Sequence, residues 1–342
     1  MADLGFERYE PANIEAFGFT EPEQQASILR EVTEQKLGTA DNGQNFSAIH
    51  ANRDFGGNSL IVRPNSLFGS TGNADQQYIA SQYALAFPEQ GYLSIDLPAH
   101  GASDRLTKDQ RKDITKGVGS VASIANAQLE ATLDLVPDMR DITLTGETVG
   151  ELFAVEFAAQ AAEKGVRVRR LFGFDPMGME QRSPIALAGR YIADAAKSRK
   201  ERRSESDVEG EQKLEDAFSK EFVPLVEDFG PIRTAEPSGH VGLMARERTI
   251  ARLMLRKSPA TRDMGMEALE AALETQPELR ADFIFAGKSS IGRLTRPVRD
   301  ELQRLQVETG GRVQFDEWPN DGQDIGLARH QPRLISYVKD NQ

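Results

Sequence analysis

The stretch ITLTGETVGELFAVEFA, residues 142–158, begins with the composition of a strand and ends with that of a helix. Its first residues are β-branched and apolar, and its last residues repeat apolar side chains at helical spacing. Between the two segments stands the pentapeptide GETVG, residues 146–150. A glycine-x-hydroxyl-x-glycine turn at such a junction can expose its central side chain as a nucleophile. The stretch therefore predicts a strand, a sharp turn and a helix, with Thr148 at the tip of the turn.

The bulk composition sets limits on the class of protein. The chain has 342 residues, of which 39% are hydrophobic and 27% are charged, as in globular proteins of one large domain or two small ones. Its formal net charge of -12 argues against a nucleic-acid partner, because phosphate binding needs clustered Lys and Arg. The absence of cysteine excludes disulfides, thiolate catalysis and zinc–cysteine sites. We predict an acidic protein with no metal site and no cofactor.

The amino-terminal residues and the apolar runs indicate a location. The first residues, MADLGFERYE, contain early acidic side chains and lack the apolar core of a signal peptide. No apolar run approaches the roughly 20 residues that a membrane-spanning helix needs. We therefore expect a cytoplasmic protein without a membrane span.

Strand-like and helix-like segments alternate from residue 58 to residue 176. Such alternation predicts an α/β fold with a mostly parallel central sheet that is flanked by helices. Ahead of it, a helix is predicted over residues 21–38, within a partly helical extension of residues 1–45. The alternation breaks over residues 179–276, which are polar and helical in pattern. The predicted core therefore comprises residues 46–178 and 277–342.

Four segments in order resemble the α/β-hydrolase fold superfamily. SLIVRPNSLFGSTGNADQQY resembles its strand, oxyanion loop and first helix, and GYLSIDLPAHGASD resembles its DxPGHGxSD segment. LTGETVGELFAVEFAA resembles the nucleophile elbow, and VRRLFGFDPMG resembles the next strand with its Asp-Pro end. The resemblance covers roughly residues 46–180 and 277–342. It implies that the insertion at 179–276 is a helical cap or lid, and that the elbow belongs to a nucleophile–histidine–acid site.

The nucleophile position that the resemblance implies holds Thr148 instead of the usual serine. The central residue of an elbow commonly has a positive φ, which is costly for a β-branched side chain. The extra methyl group also crowds the face from which an acyl group approaches. These points favour a structural role for Thr148 over a catalytic one.

The acid and histidine positions also depart from the pattern. The residues after the strand ADFIFAG include Ser289 and Ser290 and no carboxylate. Asp175, which follows the preceding strand, is the alternative acid, although a structural role is favoured for it. The histidine position falls on Gln323, and glutamine cannot act as a general base near neutral pH.

The chain contains four histidines, which limits any histidine-dependent mechanism. His50 lies on an early predicted strand, and His100 belongs to the loop motif whose histidine is normally structural. His330, near the start of the last predicted helix, is the main candidate base and reaches the site only if its loop folds back. His240, in the insertion, is a second candidate that would hang over the site.

A binding pocket is expected at the elbow whether or not the chemistry survives. The amide of Val149 is one predicted donor, because helix amino termini favour negatively polarised oxygen. Glu147 and Glu151 flank the turn and are expected to oppose an anion, so an uncharged or carbonyl ligand is favoured. The candidate ligand-binding residues are Ser66, Leu67, Val149, Trp318 and His240.

Two main hypotheses follow from these residues. In the first, the chain has lost hydrolytic chemistry and binds a small-molecule ligand or a protein partner in the pocket between cap and core. In the second, it hydrolyses ester or acyl substrates with Thr148 as nucleophile, His330 as base and Asp175 as acid. A third and weaker hypothesis is another reaction in the same pocket without a covalent intermediate. The sequence leaves the oligomeric state open.

Overall fold

The computed structural model describes residues 33–52, 59–65, 74–115, 121–177, 179, 264–287, 289, 294–318 and 331–342. Most of the predicted insertion and the first part of the predicted extension lie outside these residues.

A single eight-stranded sheet forms the centre of the protein, in the order β1-β2-β4-β3-β5-β6-β7-β8. β1 pairs antiparallel with β2, and β2 pairs antiparallel with β4, whereas all the other neighbours are parallel. The strands are β1 Thr33–Thr39, β2 Asn45–Ala51, β3 Leu60–Pro64, β4 Gly91–Ile95, β5 Asp141–Glu147, β6 Arg167–Phe174, β7 Arg280–Ala286 and β8 Val313–Trp318.

Helices connect the parallel strands, as the alternation in sequence predicted. Within the described residues they are α1 Ala74–Ala86, α2 Lys108–Thr115, α3 Ala122–Leu135, α4 Val149–Ala161, α5 Met264–Thr275, α6 Arg296–Glu308 and α7 Gln331–Asn341, with a short 3-10 helix at Ala162–Lys164. The predicted fold class, an α/β protein with a mostly parallel sheet flanked by helices, is confirmed.

The sheet has an apolar layer on each face. On one face, α3, α4, α5 and α6 cover a cluster that includes Leu144 and Phe283. On the other face, α1 and α7 cover a second cluster that includes Ile61 and Phe172. Burial on both faces explains why the central strands are continuous apolar runs rather than alternating ones.

One predicted segment assignment differs from the structure. The helix predicted over residues 21–38 is wrong from Thr33 onward, because Thr33–Thr39 forms β1 and pairs in register with β2. Residues 21–32 lie outside the described residues. The helix Met264–Thr275, at the end of the predicted insertion, packs on the core through Leu269 and Ala272. The domain boundaries of the insertion remain predictions.

Pairing with β2 overrides the helix propensity of TEQKLGT, and Gly38 shows why a strand fits there. A Cβ atom on Gly38 would lie 2.3 Å from the backbone oxygen of Ala131 in α3. Any other residue would therefore push the edge strand away from the helix.

Among the described residues, no helix is both long enough and apolar enough to cross a membrane.

We predict that Gly38→Ala lowers the free energy of unfolding by about 1–3 kcal/mol, because the new methyl group overlaps backbone that cannot yield cheaply. Urea denaturation measures this loss. Lys36→Ala, on the same strand, is the control and should stay within about 0.5 kcal/mol of the parent. Equal stability of the two variants would show that β1 does not dock on α3 as described.

Candidate functional site

The turn between β5 and α4 is a sharp elbow, and Thr148 is its central residue. Thr148 has φ 50° and ψ -113°, so the positive φ predicted for it is observed. Its amide donates to the carbonyl of Phe174 at 2.9 Å, and its own carbonyl accepts from the amide of Met177 at 3.3 Å. The end of β6 and the chain after it therefore hold the turn in place.

The two glycines of the elbow are required by close backbone contacts. A Cβ atom on Gly146 would lie 2.4 Å from the Cα atom of Glu151, in the first turn of α4. A Cβ atom on Gly150 would lie 2.5 Å from the carbonyl oxygen of Pro64, at the end of β3. Glycine at both positions lets the first turn of α4 pack closely against the ends of β5 and β3, which explains the GETVG pattern.

The conformation of Thr148 is strained. A non-glycine residue at positive φ is uncommon, and a β-branched one is a clear outlier that costs on the order of 1–3 kcal/mol. The Thr148 side chain is half-buried and makes no capping hydrogen bond to α4, a helix that is described along its whole length. No side-chain cap offsets this strain. The backbone contacts around the turn therefore hold Thr148 in its conformation.

The amino terminus of α4 provides amide donors at the elbow. The first amides of a helix have no intrahelical acceptor, and the helix dipole places partial positive charge there. Val149 is the first residue of α4 and is almost fully buried. An oxygen of a bound molecule with negative partial charge would be stabilised at this point.

Glu147 does not add net charge to the elbow, because it forms a buried ion pair with Arg63 of β3. Arg63 Nη2 lies 2.9 Å from Glu147 Oε1, and the two side chains are 2% and 9% exposed. Arg63 Nη1 also donates to Gln76 Oε1 at 2.6 Å. Burial opposes the charged guanidinium, yet Glu147 and the nearby Tyr92 and Tyr83 shift the pKa of Arg63 upward overall.

Burial disfavours a charge on Glu151, which is a different effect from the ion pair of Glu147. The residue is fully buried, and burial raises the pKa of its carboxyl well above the usual 4.5. Neither carboxyl oxygen has a hydrogen-bond partner among the described residues. Both features reduce the repulsion expected between an anion and the two glutamates, and the effect on an anion at the elbow stays a prediction. Arg63 offsets the charge of one carboxylate, and burial shifts the other group toward its uncharged form.

The structure brings together two residues that the sequence offered as alternative acid positions. Ser289 Oγ donates to Asp175 Oδ2 at 2.9 Å, and both residues are buried. Asp175 follows β6 directly, has φ 48°, and donates from its amide to the carbonyl of Ile284 at 2.7 Å. Asp175 therefore lies at the carboxyl ends of β6 and β7, close to the elbow. Ser290 lies outside the described residues.

Two of the four histidines are described, and neither occupies a triad position. His50 pairs with Leu93 of β4, so β4 and β3 separate it from β5, a distance of about 14 Å at ordinary strand spacing. The His100 ring is buried, with Nδ1 2.9 Å from the carbonyl oxygen of Pro98. His240 and His330 lie outside the described residues, as does Gln323.

The remaining pocket candidates are only partly described. Trp318 is 3% exposed at the end of β8, with the Arg333 guanidinium 3.6 Å above its ring and Tyr337 edge-on at 6.1 Å. Its contacts are those of a packed side chain. Ser66 and Leu67 lie outside the described residues. Asn65, just before them, is described and fully buried.

Sequence reasoning missed Asn65 and Arg63. The Asn65 side chain donates to Asp96 Oδ1 and accepts from Ser94 Oγ, both at 2.8 Å. These bonds fix the exit of β3, where the predicted oxyanion loop begins. A lone arginine inside the apolar strand SLIVRPN was the local signal for Arg63, since a buried charge requires a partner.

Among the described residues, no group of three or more His, Asp or Glu could hold a metal ion.

Comparison with known proteins identifies the fold. No protein-family model and no curated protein sequence matches the chain. A haloalkane dehalogenase from Agrobacterium tumefaciens C58 superposes with a TM-score of 0.54 at 14% identity, covering 92% of this chain and 99% of that one. The esterase PF2001 from Pyrococcus furiosus superposes with a TM-score of 0.50 at 11% identity, covering 94% and 93%. The chain therefore has the α/β-hydrolase fold, as the resemblance implied. At these identities the likeness shows the fold alone.

We predict strong coupling between Arg63 and Glu147. Arg63→Met or Glu147→Gln alone leaves a buried charge without its partner and should lower the free energy of unfolding by about 3–5 kcal/mol. The double variant removes both charges and should cost less than the sum of the single variants by about 0.5–3 kcal/mol. Denaturant unfolding of all four proteins measures the coupling.

The matched control is the exposed pair Arg296 and Asp300 on α6, whose side chains are 91% and 63% exposed. The same cycle with Arg296→Met and Asp300→Asn should give a coupling of about 0.3–0.5 kcal/mol. Additive effects at Arg63 and Glu147 would contradict the ion pair as the link between β3 and the elbow.

Proposed function

We propose that this protein uses the pocket of the α/β-hydrolase fold to bind a small molecule and no longer carries out hydrolysis through the elbow. The observation that carries the proposal is Thr148, a β-branched residue at φ 50° in the nucleophile position. Its methyl group stands beside the hydroxyl, where an approaching acyl carbon needs space. Binding needs only the amides of α4, which this side chain leaves in place.

The surroundings of Asp175 support the same proposal. Ser289 occupies the predicted acid position after β7 and donates a hydrogen bond to Asp175. The pair is a buried, hydrogen-bonded link between the ends of β6 and β7. A link of this kind stabilises the strand ends, which is the structural role expected for Asp175.

The charges around the elbow support a ligand with a carbonyl or carboxylate oxygen. Glu147 is paired with Arg63, and burial raises the pKa of Glu151 and favours its uncharged form, so both effects reduce repulsion of a negatively polarised atom. Such an oxygen would accept a hydrogen bond from Val149. The predicted lining residues remain Ser66, Leu67, His240 and Trp318. A helical lid over the site and a cytoplasmic location also remain predictions. A protein partner in the same pocket is the alternative occupant.

A second candidate function is hydrolysis of an ester or acyl substrate. It is favoured by one observation, namely that the elbow has the tight backbone turn of a nucleophile elbow. Gly146 lies close to the Glu151 backbone and Gly150 lies close to the Pro64 carbonyl. Thr148 would then attack the acyl carbon, His330 would accept its proton, and Asp175 would orient the imidazole. The solved structures that resemble this one include an esterase and a haloalkane dehalogenase, so fold alone does not decide between reactions.

A fluorophosphonate probe separates the two candidates. We expect the wild-type protein to be labelled no more than Thr148→Ala, because the methyl group of Thr148 crowds the hydroxyl that would attack the probe. Intact-mass spectrometry measures the labelled fraction. Stoichiometric labelling that disappears in Thr148→Ala would overturn the non-hydrolytic proposal. Ser289→Ala is the control for non-specific labelling of a buried hydroxyl.

Binding is tested separately with a panel of small carboxylic acids and their methyl esters. A molecule that binds only the folded protein raises its melting temperature as its concentration increases. We expect the same shift in the wild-type protein and in Thr148→Ala, since the amides of α4 are unchanged. A shift that depends on the Thr148 hydroxyl would favour the hydrolase instead.

A further inference from the structure

Glu151 lies in a space that the neighbouring strands leave open for it. It is in the first turn of α4, immediately after the elbow, and is fully buried. A Cβ atom on Gly173 of β6 would lie 2.8 Å from Glu151 Cγ and 2.6 Å from a ring atom of Phe283. A side chain at position 173 would therefore occupy the space of the glutamate. A Cβ atom on Gly146 of β5 would overlap the backbone of Glu151, at 2.4 Å from its Cα atom.

The carboxyl group in this space has no compensation for a negative charge among the described residues. Neither oxygen has a hydrogen-bond partner there. Burying an unpaired carboxylate costs several kcal/mol, whereas the dipole at a helix amino terminus returns at most about 2 kcal/mol. The uncharged form is therefore favoured in the folded protein, in agreement with the upward shift of the Glu151 pKa by burial.

The ionisable groups on the neighbouring strands are engaged elsewhere. On β5, Glu147 pairs with Arg63 on the face that α1 covers. On β7, Asp282 faces Arg170 of β6, with 3.5 Å between their charged atoms. Among the described residues, burial is the cause of the raised pKa of Glu151, and these pairs do not contribute to it.

Two further carboxylates lie near Glu151, one at the end of β6 and one on α4 itself. Asp175 at the end of β6 accepts from Ser289. Glu156, further along α4, interacts with Glu267 of α5 instead, and mainly its burial raises its pKa to about 7. Neither is a cause of the Glu151 shift. The charge state of Glu151 is thus set by its enclosure.

We propose that Glu151 is a protonation-controlled positioning residue of the elbow. With an uncharged carboxyl, the first turn of α4 packs against β5 and β6. When the carboxyl loses its proton to solvent, the charge draws water between α4 and the strands. The amide of Val149 then leaves the position in which it can donate to a ligand. The elbow is therefore closed while the carboxyl is uncharged and opens as the pH rises.

The direction of the pH dependence follows from the two states of the group. In the unfolded chain the carboxyl titrates near its usual value of 4.5, and in the folded protein it titrates at higher pH. The stability that the uncharged group supports is complete below 4.5 and is lost as the pH rises toward the folded value. Between these limits each pH unit changes the equilibrium about tenfold.

The test compares the full-length wild-type protein with Glu151→Gln, which keeps the size of the side chain and cannot ionise. We expect the unfolding equilibrium constant of the wild-type protein to rise about tenfold per pH unit above that of the variant within this window. Denaturant unfolding across the pH range measures it. The control is Glu163→Gln, an exposed residue just after α4 that should follow the wild-type protein. Parallel curves for wild type and Glu151→Gln would overturn the proposal.

A second measurement keeps the test decisive if Glu151→Gln fails to fold. Hydrogen exchange of the wild-type peptide 141–161 should become faster with rising pH, after correction for intrinsic exchange, than that of the peptide containing β7. A constant ratio between the two peptides would overturn the proposal. Neither experiment uses a ligand, so the result is independent of whether the protein binds or hydrolyses a substrate.

Discussion

The contact between the Gly150 backbone and the carbonyl oxygen of Pro64 fixes how closely α4 approaches the centre of the sheet. A Cβ atom there would be 2.5 Å from that oxygen, so the helix can take its place only because the residue is glycine. The same approach forces the chain to reverse within one residue, and Thr148 takes up the reversal at positive φ. The positions of the α4 amides, Asp175 and the exit of β3 all depend on this turn.

Around that turn, the polar groups are arranged so that little net charge remains. Arg63 pairs with Glu147 across two adjacent strands, and enclosure raises the pKa of Glu151 and favours its uncharged form. Asp175 is held by Ser289 in the place where the resemblance led us to look for a catalytic acid. The strained backbone of the elbow is thus combined with two buried polar pairs, Arg63–Glu147 and Asp175–Ser289, and with one enclosed carboxyl group. This combination is why we favour a binding site over a reactive one.

Local patterns were sufficient for much of the fold and for the shape of the elbow. The glycine spacing of GETVG predicted the turn, because Gly146 crowds Glu151 within the same short segment, although the contact of Gly150 with Pro64 joins residues far apart in sequence. β1 was missed because TEQKLGT consists largely of good helix formers, and only its pairing with β2 makes it a strand. The Arg63–Glu147 pair and the charge state of Glu151 were missed for a related reason. Both depend on which side chains the sheet brings together, and sequence spacing does not encode that.

The fit of Glu151 over Gly173 has a consequence for how this sequence can change. A smaller residue at 151 would leave a void between α4 and β6, and any side chain at 173 would overlap the glutamate. Each position therefore restricts the other, although they lie on different elements of the chain. In relatives that share this elbow, the two sites should vary together: a compact residue at 151 with a side chain at 173, or a long residue at 151 with glycine at 173.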